Sequence, residues 1–289
     1  MTTASFQDRV TISVTNGIAD VRLNRPDKRN ALDNAMFKGI VEAGEWVKSA
    51  SGVRVVVLSG EGASFCAGLD FSSLSALAGR DSDSDTGDSN VTSTGAGAEA
   101  STAIGSLGDG QIAHLGQRTA WVWQEVAVPV IAAVHGHALG GGFQVALGAD
   151  IRFAHPDTKM SVRESFWGLS PDMTASLFLS RLTRPDVAKE LAMTARIISG
   201  AEAHALGIVT HLSDDPRAAA FDLAHELLGR SPDAVRGVKA LFNRLANADA
   251  AEMFALERET ISSLIGTPNQ AEAVAAGMEN RPPVFTDPA

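Results

Sequence analysis

One cysteine, Cys66, in 289 residues leaves no partner for an intrachain disulfide, which points to a reducing compartment. Long apolar runs are missing too. No stretch of about 18 apolar residues suggests a membrane span, and the opening MTTASFQDRV lacks the apolar centre of a signal peptide. The expectation is a cytoplasmic protein with no membrane partner. Positive charge is scarce: 24 Lys and Arg stand against 34 Asp and Glu, a formal net charge of -10. That balance counts against non-specific binding of nucleic acid or an anionic membrane. It leaves room for a small anionic ligand held by a local cluster of cations. The dinucleotide fingerprint G-x-G-x-x-G is absent, which weakens a nicotinamide-dependent oxidoreductase. His135 and His137 alternate near a strand end, but without the companion Cys, His or carboxylate spacing of a metal site. No metal is expected.

What remains is ordinary globular material, 45% hydrophobic and 20% charged, enough for one large domain or one domain with an appendage. Val10–Thr15 and Ile18–Leu23 read as strands joined by Asn16-Gly17, which suits the positive φ angles of a two-residue hairpin turn. From Asp33 to Lys48 the apolar residues Met36, Phe37, Ile40, Val41 and Val47 recur with helical spacing. Val53–Gly60 and Pro129–Gly136 are nearly continuous apolar runs, like strands buried on both faces. Asp150–Ala154 adds another strand, and the alternation of strands and helices predicts an α/β core. Residues 81–113 carry six acids and no Lys or Arg; too polar to offset their ordering entropy, they read as a low-complexity insertion. Helical character resumes from Ile112 to Val128. After Thr183 the chain is mainly helical, with Pro185–Ala195, Ala201–Leu206, Pro216–Gly229, Pro232–Ala246, Ala250–Ile265 and Asn269–Met278 as helices and Ile208–Leu212 as a strand. The expected organisation is a core over 1–200 and a helical C-terminal region over 201–289.

Three stretches offer chemistry. In HGHALGGGFQ, residues 135–144, three glycines stand between a strand and a helix-like run. Such a helix start has bare N–H groups and favours negative charge; close helix–strand packing is the other reading. GASFCAGLD, residues 62–70, follows a buried strand and places small residues where open α/β folds hold ligands. Its Cys66 reads as a packing residue rather than a nucleophile. In SVRESFWGLSPDM, residues 161–173, Glu164 and Asp172 lie among Val162, Phe166, Trp167 and Leu169. Apolar surroundings fit a carboxylate for proton transfer near neutrality, while an ion pair with Arg163 at the surface is equally open.

Together these stretches resemble the crotonase (enoyl-CoA hydratase/isomerase) superfamily. The resemblance is carried by LNRPDKRNAL (23–32), SFCAGLD (64–70), PVIAAVHGHALGGGFQVALGADIRFA (129–154), VRESFWGLSPDM (162–173) and AVAAGMENRPPVF (273–285). They stand in family order over nearly the whole chain, apart from 81–113. The resemblance implies a spiral of ββα units, a helical C-terminal region that packs subunits into trimers or hexamers, and an acyl-CoA thioester as substrate. No separate cofactor is implied, coenzyme A being part of that substrate. It implies an oxyanion hole from the N–H groups of Leu69 and Gly141. It also implies a CoA site bordered by Lys28, Arg29, Ala31, Cys66, Ala67, Gly68, Asp70 and Gly140, although for Lys28 and Arg29 a solvated surface role stays open.

Hydratases of the family carry glutamates at the positions matching Gln144 and Glu164, and the amide at 144 cannot give or take a proton near neutrality. The spacing of Asp172 from Glu164 resembles the dienoyl-CoA isomerases, which have an aspartate where Gln144 stands. Catalytic candidates are thus Glu164, Asp172, Gln144, Leu69 and Gly141. The expected activity is double-bond isomerisation of an enoyl- or dienoyl-CoA. The alternatives are water addition to a trans-2-enoyl-CoA, as in fatty-acid oxidation, and a CoA-ester-binding homologue without catalysis.

Overall fold

The computed structural model describes residues 2–70, 107, 112–230, 232–246 and 250–281. Strands β1 (Thr2–Phe6), β2 (Val10–Thr15) and β3 (Ile18–Leu23) form an antiparallel meander. The β2–β3 turn is Asn16-Gly17, both with positive φ (50° and 87°), as the Asn-Gly pair predicts. From β3 the sheet continues in parallel through β4 (Val55–Gly60), β5 (Val130–Val134), β7 (Ile151–Ala154) and β9 (His211–Leu212). A second, two-stranded parallel sheet pairs β6 (His137–Leu139) with β8 (Lys159–Ser161).

The central strands are apolar throughout because both faces are covered. Val56, Leu58, Val130, Ala132 and Val134 face one core, with helices α1 (Asn34–Ser49) and α2 (Leu115–Glu125). Val55, Val57, Ile131 and Ala133 face the other, against Ala220 and Ala224 of α7 (Pro216–Leu228). Helix α1 begins where Asp33 accepts the Met36 N–H as N-cap. Helix α2 begins at His114, which forms a reciprocal capping box with Gln117. Three short helices complete the middle of the chain: α3 (Gly141–Leu147), α4 (Ala175–Leu182) and α5 (Pro185–Thr194).

Beyond residue 200 the structure has α6 (Gly200–Ala205), α7, α8 (Pro232–Ala246), α9 (Ala250–Leu264) and α10 (Pro268–Glu279). The strand expected over Ile208–Leu212 is reduced to His211–Leu212. Gly207, at φ +81°, ends α6, and the Ile208 and Val209 N–H groups turn back to Ala203 O, so these buried residues close a helix instead of extending a strand. Of the 81–113 insertion, only Leu107, Ile112 and Ala113 are among the described residues.

The helices past 200 join the main core. Lys239 of α8 donates to Trp123 O (2.8 Å) and Val128 O (3.0 Å) and pairs with Asp150 at 2.7 Å. Phe254 of α9 is fully buried, edge-on to Trp121 with ring centroids 4.9 Å apart. Helix α10 packs on a 3-10 turn, Glu164–Trp167: a Cβ on Gly277 would lie 2.6 Å from the Trp167 ring.

Candidate active site

Two loops that are far apart in sequence are joined by backbone pairing. Leu32 N–H donates to Gly68 O (2.7 Å), Asp70 N–H to Leu32 O (3.1 Å) and Ala67 N–H to Arg29 O (2.9 Å). This short parallel ladder fastens 29–32 to 67–70. In it, successive residues point their N–H groups to opposite sides, so the Leu69 N–H is directed away from Leu32. On the other flank, Cys66 N–H donates to His137 O (2.9 Å) and Leu139 N–H to Cys66 O (3.1 Å), which seats the 66–69 bend against β6 and the glycine turn.

The glycines make that contact close. Gly68, at φ +91°, has room for no Cβ: one would lie 2.6 Å from Leu139 O and 3.8 Å from Gly140 N. A Cβ on Gly142 would lie 2.4 Å from Cys66 O. Gly140 N–H is taken by Ser161 O at 2.9 Å, whereas Gly141 opens α3, where a helix has no internal acceptor for its N–H. Behind Gly141 stand Leu32 and Met173, each within 2.8 Å of where its Cβ would be.

Glu164 reaches this turn from the 3-10 helix. Its Oε1 accepts a 2.6 Å hydrogen bond from Gln144 Nε2 and lies 3.4 Å from the Cβ position of Gly140. The surface ion pair with Arg163 does not form: Arg163 lies over the Phe166 ring at 3.9 Å and donates to Ala195 O. Gln144 is fully buried, and its Oε1 accepts from Met173 N–H (3.0 Å) and Ala175 N–H (2.9 Å). Thr174 between them has φ +85°, the strained left-handed region for such a residue. That twist aims the two flanking N–H groups at one acceptor, as in a backbone nest. Asp172, half-buried, directly precedes Met173.

The remaining candidates line the rim or the scaffold. Lys28 and Arg29 are exposed, and Ala31 is half-buried with its carbonyl accepting from Arg25 (3.2 Å). Asp70 pairs with Arg25 at 2.7 Å. Cys66 is fully buried, its thiol donating to Asn30 O, and burial pushes that thiol up to about 12, so it stays protonated and unreactive. His137 lies with Nδ1 3.0 Å from Ser64 Oγ. Burial, then Arg29 and Lys159, hold it below its ordinary value, so it is neutral at pH 7. His135 Nε2 donates to Gly62 O. Among the described residues no group of three or more His, Cys, Asp or Glu is placed to hold a metal.

Neither Asn30 nor Arg25 stands out in the sequence, yet both organise the rim. Asn30, fully buried, accepts the Arg25 N–H and donates to the carbonyls of Glu61, Ser64 and Phe65. A polar residue that follows three charged ones, Asp27, Lys28 and Arg29, reads as surface; only its position between two loops, which sequence does not display, reveals its burial.

Comparison with known proteins fits this arrangement. The family profile for enoyl-CoA hydratase/isomerase matches residues 18–284. Enoyl-CoA hydratase domain-containing protein 2, mitochondrial, of Mus musculus is 32% identical over 293 residues, covering 98% of this chain and 89% of that protein. The mitochondrial Delta(3,5)-Delta(2,4)-dienoyl-CoA isomerase of Mus musculus is 30% identical, covering 91% of this chain and 77% of that protein. A crystal structure of an enoyl-CoA hydratase/isomerase from Mycobacterium paratuberculosis superposes with a TM-score of 0.79 at 23% identity, over 93% of this chain and 98% of that one. The protein is thus an α/β enzyme that acts on CoA thioesters. It belongs to the enoyl-CoA hydratase/isomerase family of the crotonase superfamily.

Proposed function

We propose that the chain moves a double bond within an enoyl- or dienoyl-CoA thioester through an enolate. The observation that carries this reading is Glu164 beside the Gly140–Gly141 turn, hydrogen-bonded to an amide where a second acid would have to stand for two-carboxylate hydration. Glu164 takes a proton from the carbon next to the thioester carbonyl, and the bonding pair passes into the enolate. The developing negative charge on the thioester oxygen is met by the N–H groups of Leu69 and Gly141. One preorganised donor of this kind is worth about 2.7–4 kcal/mol of barrier. Glu164, alone or with Asp172, then returns the proton further along the conjugated chain, so no atom is gained or lost.

Lys28, Arg29 and Ala31 on one loop, and Cys66, Ala67, Gly68 and Asp70 on the other, form the rim against which the coenzyme lies. Lys28 and Arg29 provide the exposed cations for its phosphates; Cys66, being buried, contributes only backbone and packing. No cofactor beyond the substrate's own coenzyme A enters the scheme. Val238, Leu241 and Phe242 of α8 form an exposed apolar stripe (55%, 71% and 69% exposed). It supports assembly of copies into a trimer or hexamer.

The test is product analysis with saturated, 2-enoyl, 3-enoyl and 3,5-dienoyl CoA esters. Migration of the double bond in the 3-enoyl or dienoyl ester, faster than water addition to the 2-enoyl ester, is the expected result. Faster hydration establishes the hydratase reading instead, and binding without conversion establishes a non-catalytic CoA-ester binder.

A further inference from the structure

We propose that Arg29, His137 and Lys159 form a site for a phosphate of the coenzyme, and that His137 takes up a proton when that phosphate is bound. The proposal rests on reading the rim as the bed of coenzyme A and adds His137 and Lys159 to it.

Backbone pairing brings the three residues together. Cys66 N–H donates to His137 O and Ala67 N–H to Arg29 O, both at 2.9 Å, so the 66–67 segment lies between His137 and Arg29. On the other side of β6, His137 stands in register with Lys159 of β8, whose N–H donates to Gly136 O at 2.8 Å. His137 precedes Gly141 by four residues, a span of at most about 14 Å. A pantetheine arm bridges such a gap, which suits a phosphate at the cluster and a thioester at the Leu69 and Gly141 amides.

The charge of the cluster is uncompensated. Arg9, Arg22, Arg25, Arg118 and Arg217 each pair with a carboxylate. Lys28, Arg29 and Lys159 are exposed and pair with none among the described residues. The acids on the neighbouring segments are Asp27, Glu61 and Asp157, and Glu61 is taken by Arg22. None of them offsets the cations at His137, whose proton affinity is held down by burial and then by Arg29 and Lys159. His135, the other imidazole there, is bonded to Gly62 O. In a chain of net charge -10, cations that converge without an acid are suited to a bound anion.

The ring can hold either state. Nδ1 lies 3.0 Å from the hydroxyl of buried Ser64, which can donate to a bare nitrogen or accept from a protonated one. Nε2 has no partner among the described residues, so it is the atom left to meet a ligand. A phosphate beside it offsets the two cations and favours the imidazolium, whose Nε2–H then donates to a phosphate oxygen. The proton comes from solvent and leaves with the coenzyme.

The test is calorimetry of CoA binding to wild type, His137→Gln and Lys159→Gln in buffers of different ionisation enthalpy. Pantetheine, which has no phosphate, is the control ligand. Gln at 137 keeps an acceptor for Ser64 without titrating, and circular dichroism checks that both variants are folded. Wild type should take up more protons than His137→Gln on binding CoA between pH 6 and pH 8. The sign follows from the ring's low proton affinity when free and its higher one when bound, so affinity gains as pH falls. The ratio of wild-type to His137→Gln affinity should grow about 3-fold or more from pH 8 to pH 6. The phosphate's own titration is common to both proteins, so the ratio isolates the ring. Lys159→Gln should weaken CoA roughly 3–10-fold, the gap narrowing with salt, while pantetheine binds all three proteins alike. Dephospho-CoA tells which phosphate is held: it behaves as CoA if the diphosphate sits in the cluster, and as pantetheine if the 3′-phosphate does. Equal CoA affinity and equal proton uptake in all three proteins would overturn the proposal, as would an equal loss for pantetheine. Binding of inorganic phosphate with CoA affinity unaltered in both variants would also overturn it, by making a free phosphate the occupant. CoA itself is not converted, so proton-linked binding without turnover of any CoA ester leaves this site standing and removes the proposed reaction.

Discussion

Asn30 shows how much of the site is decided by single buried polar groups. Its one side chain ties Arg25 to the carbonyls of Glu61, Ser64 and Phe65 and so joins the two loops that carry Lys28, Arg29 and the 66–70 bend. Asn30→Ala removes those bonds and leaves buried carbonyls unpaired, at a cost of about 1–3 kcal/mol. A denaturant titration should show the midpoint lowered with an unchanged slope; an unchanged midpoint would mean that water replaces the side chain fully. At this scale the sequence was partly legible. Residue type alone assigns Cys66 to packing, and its raised thiol agrees. Glu164 was legible from its apolar surroundings and Gln144 from the resemblance to the family's motifs, but their mutual bond was not, since it depends on Met173 and Ala175 turning two N–H groups toward one oxygen.

Elements with strong local signals were read from sequence nearly to the residue. The β2–β3 hairpin has its Asn-Gly turn, α1 has its Asp33 cap, and β4 and β5 are apolar runs with both faces covered. The three-residue strands β6 and β8 were not legible, because each is too short to display a period and both are defined only by pairing. Ile208 and Val209 misled for a related reason: β-branched residues next to a left-handed Gly207 closed a helix. The packing of α10 on the Glu164–Trp167 turn is likewise visible only in three dimensions. Gly277 admits Trp167, and Gly168, at φ +72°, lies where a Cβ would be 2.6 Å from the Gln270 backbone. Enlarging Gly277 to Val forces the Trp167 ring aside and shifts the turn that carries Glu164. A loss of about 10-fold or more in kcat is expected, with a changed tryptophan emission and far-UV circular dichroism close to wild type. Unchanged turnover would show that α10 does not position Glu164.

Across the whole molecule, the helices past residue 200 and the catalytic core share one interior. Burial pushes the Asp150 carboxyl up and the Lys239 ammonium down, so desolvation opposes the charge on both partners. Such a pair is a poor source of net stability. Its two further bonds, to Trp123 O and Val128 O, fix where α8 docks. The soft boundary expected near residue 200 therefore crosses a continuous set of contacts, and composition could not show this because it does not reveal which part of the chain covers each helix's apolar residues. That shared interior holds the glycine turn, the 66–69 bend and the Glu164 turn in one frame, and the proposed chemistry depends on the frame. The most direct test is exchange of the C2 protons of a CoA thioester with deuterated solvent, followed by NMR for wild type and Glu164→Gln. The account predicts exchange by the wild type, and loss of most of that rate in Glu164→Gln with CoA-ester binding largely kept. Equal exchange rates in the two proteins would contradict it.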